Sequence, residues 1–249
     1  MPKLIAANWK MYKTLAEAET TARELAATLA GRIPADREVL VCPAFVHLPA
    51  LARTLQSADI RLGAQDLYPA EEGAFTGEVA PRQLMDVGCS YALVGHSERR
   101  HVLGEKDAFV AQKTAFGLAA GLHIILCVGE TLEERRAGQL EAVLTRQITS
   151  AVTDIPQDGA ARLTIAYEPV WAIGTGEVAT LEDIDAAHAV VRRLLEETLG
   201  EAGRSVRILY GGSVKPDNAG AILGLDNVDG VLVGGASLEA SSFSKIVLA

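Results

Sequence analysis

Eight short aliphatic runs, separated by longer amphipathic segments, predict an α/β fold: a (β/α)8 barrel of eight parallel strands surrounded by helices. Two further observations agree. The 249 residues contain no linker-like or low-complexity tract, and polar or glycine-rich residues recur just after the runs, at the rim where a barrel carries its chemistry. One domain over residues 1–249 is expected, with an open doubly wound sheet as the alternative. Unit lengths vary too much for a solenoid repeat.

The runs are residues 4–7, 39–41, 60–62, 91–94, 123–128, 163–167, 206–210 and 230–233. The clearest helical patterns, with apolar residues three and four apart, are 15–29, 107–120, 132–152 and 181–199. Thr180 and Asp183 signal the start of the last one, and Gly200 and Gly203 its exit.

A net charge of −9 lacks the basic face that nucleic acid demands, so an anionic ligand must be held locally by backbone N–H groups and a few cations. No apolar run approaches the roughly 18 residues of a membrane span, and the first seven residues lack a signal-peptide core. Neither a nucleic-acid nor a membrane partner is expected. Cys42, Cys89 and Cys127 are odd in number and sit among apolar residues. They read as buried thiols in a reducing compartment, so a cytoplasmic location is expected. No metal-ligand spacing is present.

The run 163–167 stops at a carboxylate, Glu168, and Pro169 behind it has no N–H and biases Glu168 towards extended geometry. The loop that follows is apolar in the middle and ends on Gly174 and Gly176, the form of a hinged lid. A strand-end glutamate is often only solvated and a glycine loop only a turn, so convergence with other polar residues decides. Asn8, Trp9 and Lys10 follow the first run, and Gly95, His96, Ser97 and Glu98 the fourth. Gly211, Gly212 and Ser213 follow the seventh, and Gly234 and Gly235 the eighth.

Each of these positions suits a task. Lys10 follows a buried run, where a solubilising charge is out of place; a fixed ammonium there would stabilise a phosphate and a developing oxyanion, and Asn8 would orient the same oxygen. His96 precedes a helix start that disfavours imidazolium, so a neutral ring can donate to a carbonyl. His47, His101, His123 and His188 lack that setting and read as structural. Glu168 is the candidate base, with a value that burial under a closing lid would raise. Glu98 reads as a supporting partner for Lys10 or an arginine, and Glu130 as a group behind the site. The two glycine turns let backbone N–H groups approach a phosphate at a helix start, with Gly174 as a further donor from the lid.

N-W-K at 8–10, V-G-H-S-E-R-R at 94–100, A-Y-E-P-V-W-A-I-G-T-G at 166–176, Y-G-G-S-V-K at 210–215 and G-V-L-V-G-G-A-S at 230–237 together resemble the triosephosphate isomerase family. The motifs run in the family's order from the first strand to the last. The family's glutamate base, neutral histidine and closing loop are already known for it and are not read from the spacing here. The resemblance implies a TIM barrel that interconverts dihydroxyacetone phosphate and glyceraldehyde 3-phosphate through an enediolate, without metal or organic cofactor. It implies that Asn8, Lys10, His96 and Glu168 are catalytic. Gly174, Ser213, Gly234 and Gly235 would hold the phosphate, and Glu98 and Thr76 would support the site. It also implies a homodimer in which the loop from Gln65 to Pro81 reaches into the second copy, bringing Thr76 towards the partner's Lys10.

Three departures stand out: Ala7 where the family favours glycine, Tyr12 where asparagine is commoner, and an unusual stretch at 238–244. Other barrel readings compete. A Schiff-base aldolase needs a lysine inside a strand, and no predicted strand has one. A phosphosugar epimerase would use the same phosphate site, whereas a non-catalytic scaffold should have lost the base or the glycine turns.

Overall fold

The computed structural model describes residues 1–172 and 178–249. Its sheet is a closed barrel of parallel strands in chain order: β1 (Lys3–Asn8), β2 (Arg37–Cys42), β3 (Ile60–Ala64), β4 (Tyr91–Val94), β5 (His123–Val128), β6 (Leu163–Tyr167), β7 (Arg207–Tyr210) and β8 (Gly230–Val233). Pairing of β8 with β1, Leu4 opposite Gly230 and Ala7 opposite Val233, closes the ring. The described helices are α1 (Leu15–Leu29), α2 (Leu48–Gln56), α3 (Pro81–Asp86), α4 (Ser97–His101), α5 (Asp107–Ala119), α6 (Leu132–Arg136), α7 (Leu140–Val152), α8 (Leu181–Leu199), α9 (Ala219–Leu223) and α10 (Ala240–Val247). Among the described residues no helix is long and apolar enough to cross a membrane.

Strand periodicity divides the core in two. Leu4, Ala6, Leu40, Leu93, Ile125, Ala166, Leu209 and Leu232 fill the barrel interior, while alternate neighbours such as Ile5, Val39, Ala92, Leu126 and Ile165 pack outward against the helices. Helix ends follow local chemistry. Thr180 and Asp183 form a reciprocal cap at the start of α8, its buried stripe runs Ile184, Ala187, His188, Val191, Leu194 and Leu195, and Gly200 at φ +60 ends it.

The first three strands are each longer than expected by one or two residues at one or both ends and the 107–120 helix is one residue shorter, and two further differences have a local cause. Residues 132–152 form two helices, not one, because Gly138 at φ +68 turns the chain while its N–H bonds Arg135 and that of Gln139 bonds Glu134. Val206 caps a 3-10 turn, so β7 begins one residue later, at Arg207.

The lower mouth is closed by charge. Arg207 donates to Glu38 Oε2 at 2.7 Å and to Tyr91 Oη at 2.8 Å, and Tyr91 donates to Glu38 Oε1 at 2.8 Å. His123 stacks on Tyr91 with ring centroids 4.7 Å apart. Burial acts to raise the Glu38 value, but the bonds from Arg207 and Tyr91 outweigh it and hold the carboxyl below its ordinary range. A depressed carboxylate adds stability that is complete above the unfolded value of about 4.3 and fades as pH falls through the folded value. Glu38→Gln should therefore cost about 1–3 kcal/mol at pH 7. Paired thermal melts should show the difference shrinking in acid; a gap that persists there would mean the cost is not electrostatic.

Candidate active site

The upper mouth opens into a cavity of about 900 Å³ lined by Asn8, Lys10, His96, Glu98, Glu168, Gly211, Gly212, Ser213, Gly234 and Gly235. Strand alternation explains much of this gathering. Leu4, Ala6 and Asn8 share the inward parity of β1, and Thr164, Ala166 and Glu168 that of β6. His96 has the opposite parity from the inward Tyr91 and Leu93, so the alternation must be broken to bring it in. Gly95 breaks it at φ +69. A side chain there would also meet Arg100 Nη2 and Val110 Cγ1 at 2.8 Å.

Glu168 is 2% exposed and His96 6%. Glu168 Oε1 lies 3.0 Å from His96 Nε2, and Glu168 Oε2 accepts from the Ser97 backbone N–H at 2.8 Å. His96 caps α4, its Nδ1 accepting from the Glu98 N–H at 3.3 Å. These partners define the neutral ring's tautomer, with the proton on Nε2.

Burial acts to raise Glu168, yet the charge and hydrogen bond of His96, the Ser97 N–H and the Lys10 charge together hold it below its ordinary value. The sequence expectation is a raised value once an apolar lid closes over the carboxylate, and part of that lid lies outside the described residues. For His96 burial acts downward, and the neighbouring Glu168 carboxylate outweighs it and raises the value. The two groups thus restrain each other.

Lys10 sits at φ +52, a conformation uncommon outside glycine. Its N–H donates to Asn8 Oδ1 at 2.9 Å, its C=O accepts from Gln65 Nε2 at 2.8 Å, and its Nζ meets Glu98 Oε1 at 2.7 Å. The Lys10 side chain also passes the last glycine turn. A Cβ on Gly234 would lie 3.2 Å from Lys10 Cε and 3.8 Å from Nζ, whereas one on Gly235 would meet open space. Gly211 is equally close to the carboxylate, where an added Cβ would fall 2.8 Å from Glu168 Cγ. The carboxylate and ammonium are thus each flanked by a turn without side chains.

A family model described as triosephosphate isomerase matches residues 3–249. The chain belongs to the triosephosphate isomerase family. A triosephosphate isomerase of Nitratidesulfovibrio vulgaris (strain DP4) is 59% identical over 255 residues, covering all of both chains. One from Oleidesulfovibrio alaskensis is 60% identical over 251 residues with the same coverage. One from Chloroflexus aurantiacus is 52% identical over 245 residues, covering 98% of this chain and 97% of its own.

Not every expected group of this triosephosphate isomerase family member lines the cavity. Thr76 lies in the exposed part of the loop 65–81 and does not border it. Gly174 and Gly176 lie outside the described residues, as does the far end of the expected lid. Glu130 is fully buried behind the site, accepting from Tyr167 Oη at 3.1 Å and Trp171 Nε1 at 2.8 Å; burial raises its carboxyl above the ordinary value. The remaining histidines lie elsewhere. His188 is buried on α8 against the Asn227 carbonyl, its value pushed down to about 4 mainly by burial.

Sequence reasoning missed two contributors. Ser97 acts through its backbone, which no residue type announces. Gln65, which donates to both Lys10 and Cys42 carbonyls, was foreseen only as a loop boundary; its inward parity with Arg61 and Gly63 was the available signal. Replacing His96 with Leu removes one donor and leaves burial dominant at Glu168. The Glu168 carboxyl pKa, followed by carbon-13 NMR in the unliganded protein, should then rise; an unchanged value would mean Ser97 and Lys10 suffice to hold it down.

Proposed function

We propose that Glu168 is the general base of this isomerase, His96 and Asn8 its hydrogen-bonding partners for the substrate oxygens, and Lys10 its fixed counter-charge. The enzyme interconverts dihydroxyacetone phosphate and D-glyceraldehyde 3-phosphate, a step of glycolysis and gluconeogenesis. A glutamate base beside a neutral histidine is the arrangement already known for the family. The observation that supports the assignment here is the 3.0 Å contact of a buried carboxylate with a buried imidazole in the cavity that Lys10 and two glycine turns also line.

Glu168 takes a proton from the carbon beside the carbonyl, and the electron pair moves to the carbonyl oxygen as the enediolate forms. His96 Nε2–H and Asn8 stabilise that oxygen, and the Lys10 ammonium balances its charge together with the phosphate. The hydroxyl proton of the neighbouring oxygen passes by way of His96 Nε2 to the former carbonyl oxygen, and Glu168 returns the carbon-bound proton to the former carbonyl carbon, which together give the isomer. Glu168 Oε1, 3.0 Å from His96 Nε2, occupies the His96 donor. Productive binding therefore requires the carboxylate to leave His96 and Ser97, freeing Nε2–H for the substrate. That movement resets both groups in the useful direction: burial, the largest influence on each, then lifts Glu168 and lowers His96.

Ser213, Gly234 and Gly235, with Gly174 from the lid, hold the phosphate through backbone N–H groups. Glu98 supports the site by restraining Lys10. Residues 1–249 act as one barrel domain. A cytoplasmic setting suits three buried free cysteines.

The working unit is a homodimer. Met11 (94% exposed), Val46 (79%) and Val102 (78%), with Tyr12, Phe75 and Leu103, leave large apolar side chains in the segments after β1, β2, β3 and β4. Those strands are neighbours in the barrel, so the residues lie on one side of its mouth, a surface suited to a second copy. The loop 65–81 stands in this group, folded on itself by the Tyr68–Val79 bond of 2.9 Å and the Tyr68–Phe75 ring contact at 4.4 Å. It presents Thr76 outward, towards the partner's Lys10. Tyr12, the departure noted in the sequence, belongs to the same surface.

Glu168→Asp, which withdraws the carboxylate by about 1 Å, should lower kcat on the order of a hundredfold in a coupled assay with glyceraldehyde 3-phosphate while thermal stability holds. Unchanged turnover would remove Glu168 from the mechanism. Thr76→Arg should convert the dimer to monomer in sedimentation equilibrium and reduce turnover; a dimer of full activity would discount the loop.

A further inference from the structure

We infer that Gln147, on the outer helix α7, is a positioning residue for the general base and acts on Glu168 through Gly129. This rests on the assignment of Glu168 as the base. The segment after β5 interlocks with the segment after β6 at three successive points. The Glu168 N–H donates to the Val128 carbonyl at 2.7 Å, Gly129 faces the Glu168 carbonyl, and the Val170 N–H donates to the Glu130 carbonyl at 3.1 Å. The middle contact is so close that a Cβ on Gly129 would fall 1.8 Å from the Glu168 carbonyl oxygen and 2.6 Å from its carbon. Gly129 is required there for space, and its own backbone location fixes where the Glu168 peptide rests.

Gly129 lies beyond the last residue of β5, past the strand's own ladder. Its N–H instead donates to Gln147 Oε1 at 2.8 Å, and its C=O faces Gln147 Nε2 at 3.4 Å. The glutamine is 3% exposed, so both ends of its amide are spent on one glycine. A buried amide that addresses both backbone groups of one residue fixes the plane and height of that peptide. With the Gly129 peptide free to tilt, the Glu168 carbonyl packed on it would shift as well, moving the carboxylate relative to the substrate carbon. Gln147 does not line the cavity, and the phosphate turns lie on other strands, so its loss should be felt in the proton-transfer step and not in binding.

Gln147→Met fills the same length of space and removes both hydrogen bonds. Its kcat should fall about tenfold, with KM within about twofold of the wild type. Gln147→Glu keeps an acceptor for the Gly129 N–H and should recover most of the turnover. Ile148→Val, on the same helix and equally buried, controls for stability and should leave kcat unchanged. Should Gln147→Met not fold, Gln147→Asn, which withdraws the amide by one methylene, is expected to show the same division between kcat and KM. The decisive measurement is the double variant. If Gln147 acts through Glu168, Gln147→Met should cost much less in a Glu168→Asp background than alone. Full additivity, or a folded Gln147 variant with wild-type kcat, would overturn the inference. A Glu168→Asp enzyme of full activity would instead overturn the assignment of the base.

Discussion

The pairing of β8 with β1 is the constraint on which the remaining structure depends. Once eight parallel strands close on themselves, every inward side chain shares one narrow interior, and every strand end arrives at the same rim. The ring demands close approach: a Cβ on Gly230 would fall 2.0 Å from the Leu4 carbonyl oxygen at the closing seam, and one on Gly63 would fall 2.8 Å from Cys42 Sγ inside. Closure turns a distance of 160 residues between Asn8 and Glu168 into a shared cavity. No local propensity does that.

Within the rim, the electrostatics are set by mutual restraint. Glu168 and His96 are both nearly removed from water, and each alone would be pushed towards its neutral form. Held together they favour the charged carboxylate, and Lys10 and the Ser97 N–H add to that preference. The site is thus an ion-containing cluster, and the proposed mechanism exchanges one of its hydrogen-bonding partners for the substrate. Lys10 is restrained in the same way, by Asn8, Gln65 and Glu98, in a backbone conformation that a lysine seldom adopts.

Much of the fold was legible because its signals are periodic. The β4, β5, β6 and β8 runs coincide with the observed strands, and the 15–29 and 181–199 patterns end where the caps and Gly200 place them. The 132–152 pattern misled because its apolar spacing continues across Gly138, so the break is set by backbone conformation and not by amphipathicity. At the rim, the identity of the strand-end residues was readable, as was their meeting in one cavity once a barrel was granted. The direction of the Glu168 shift was not, since its donors come from residues 71 and more positions away, one of them a backbone amide. The link from Gln147 to Gly129 was equally hidden: a glutamine in a helix pattern gives no sign that its partner is a main chain on another element.

The polar clasp of Glu38, Tyr91 and Arg207, together with the filled interior above it, has a consequence for traffic. With the base of the cylinder filled by that cluster, a sugar phosphate in the cavity comes and goes by the upper mouth. One molecule has to vacate before the next can be seated, so the two isomers compete for the same emptied site.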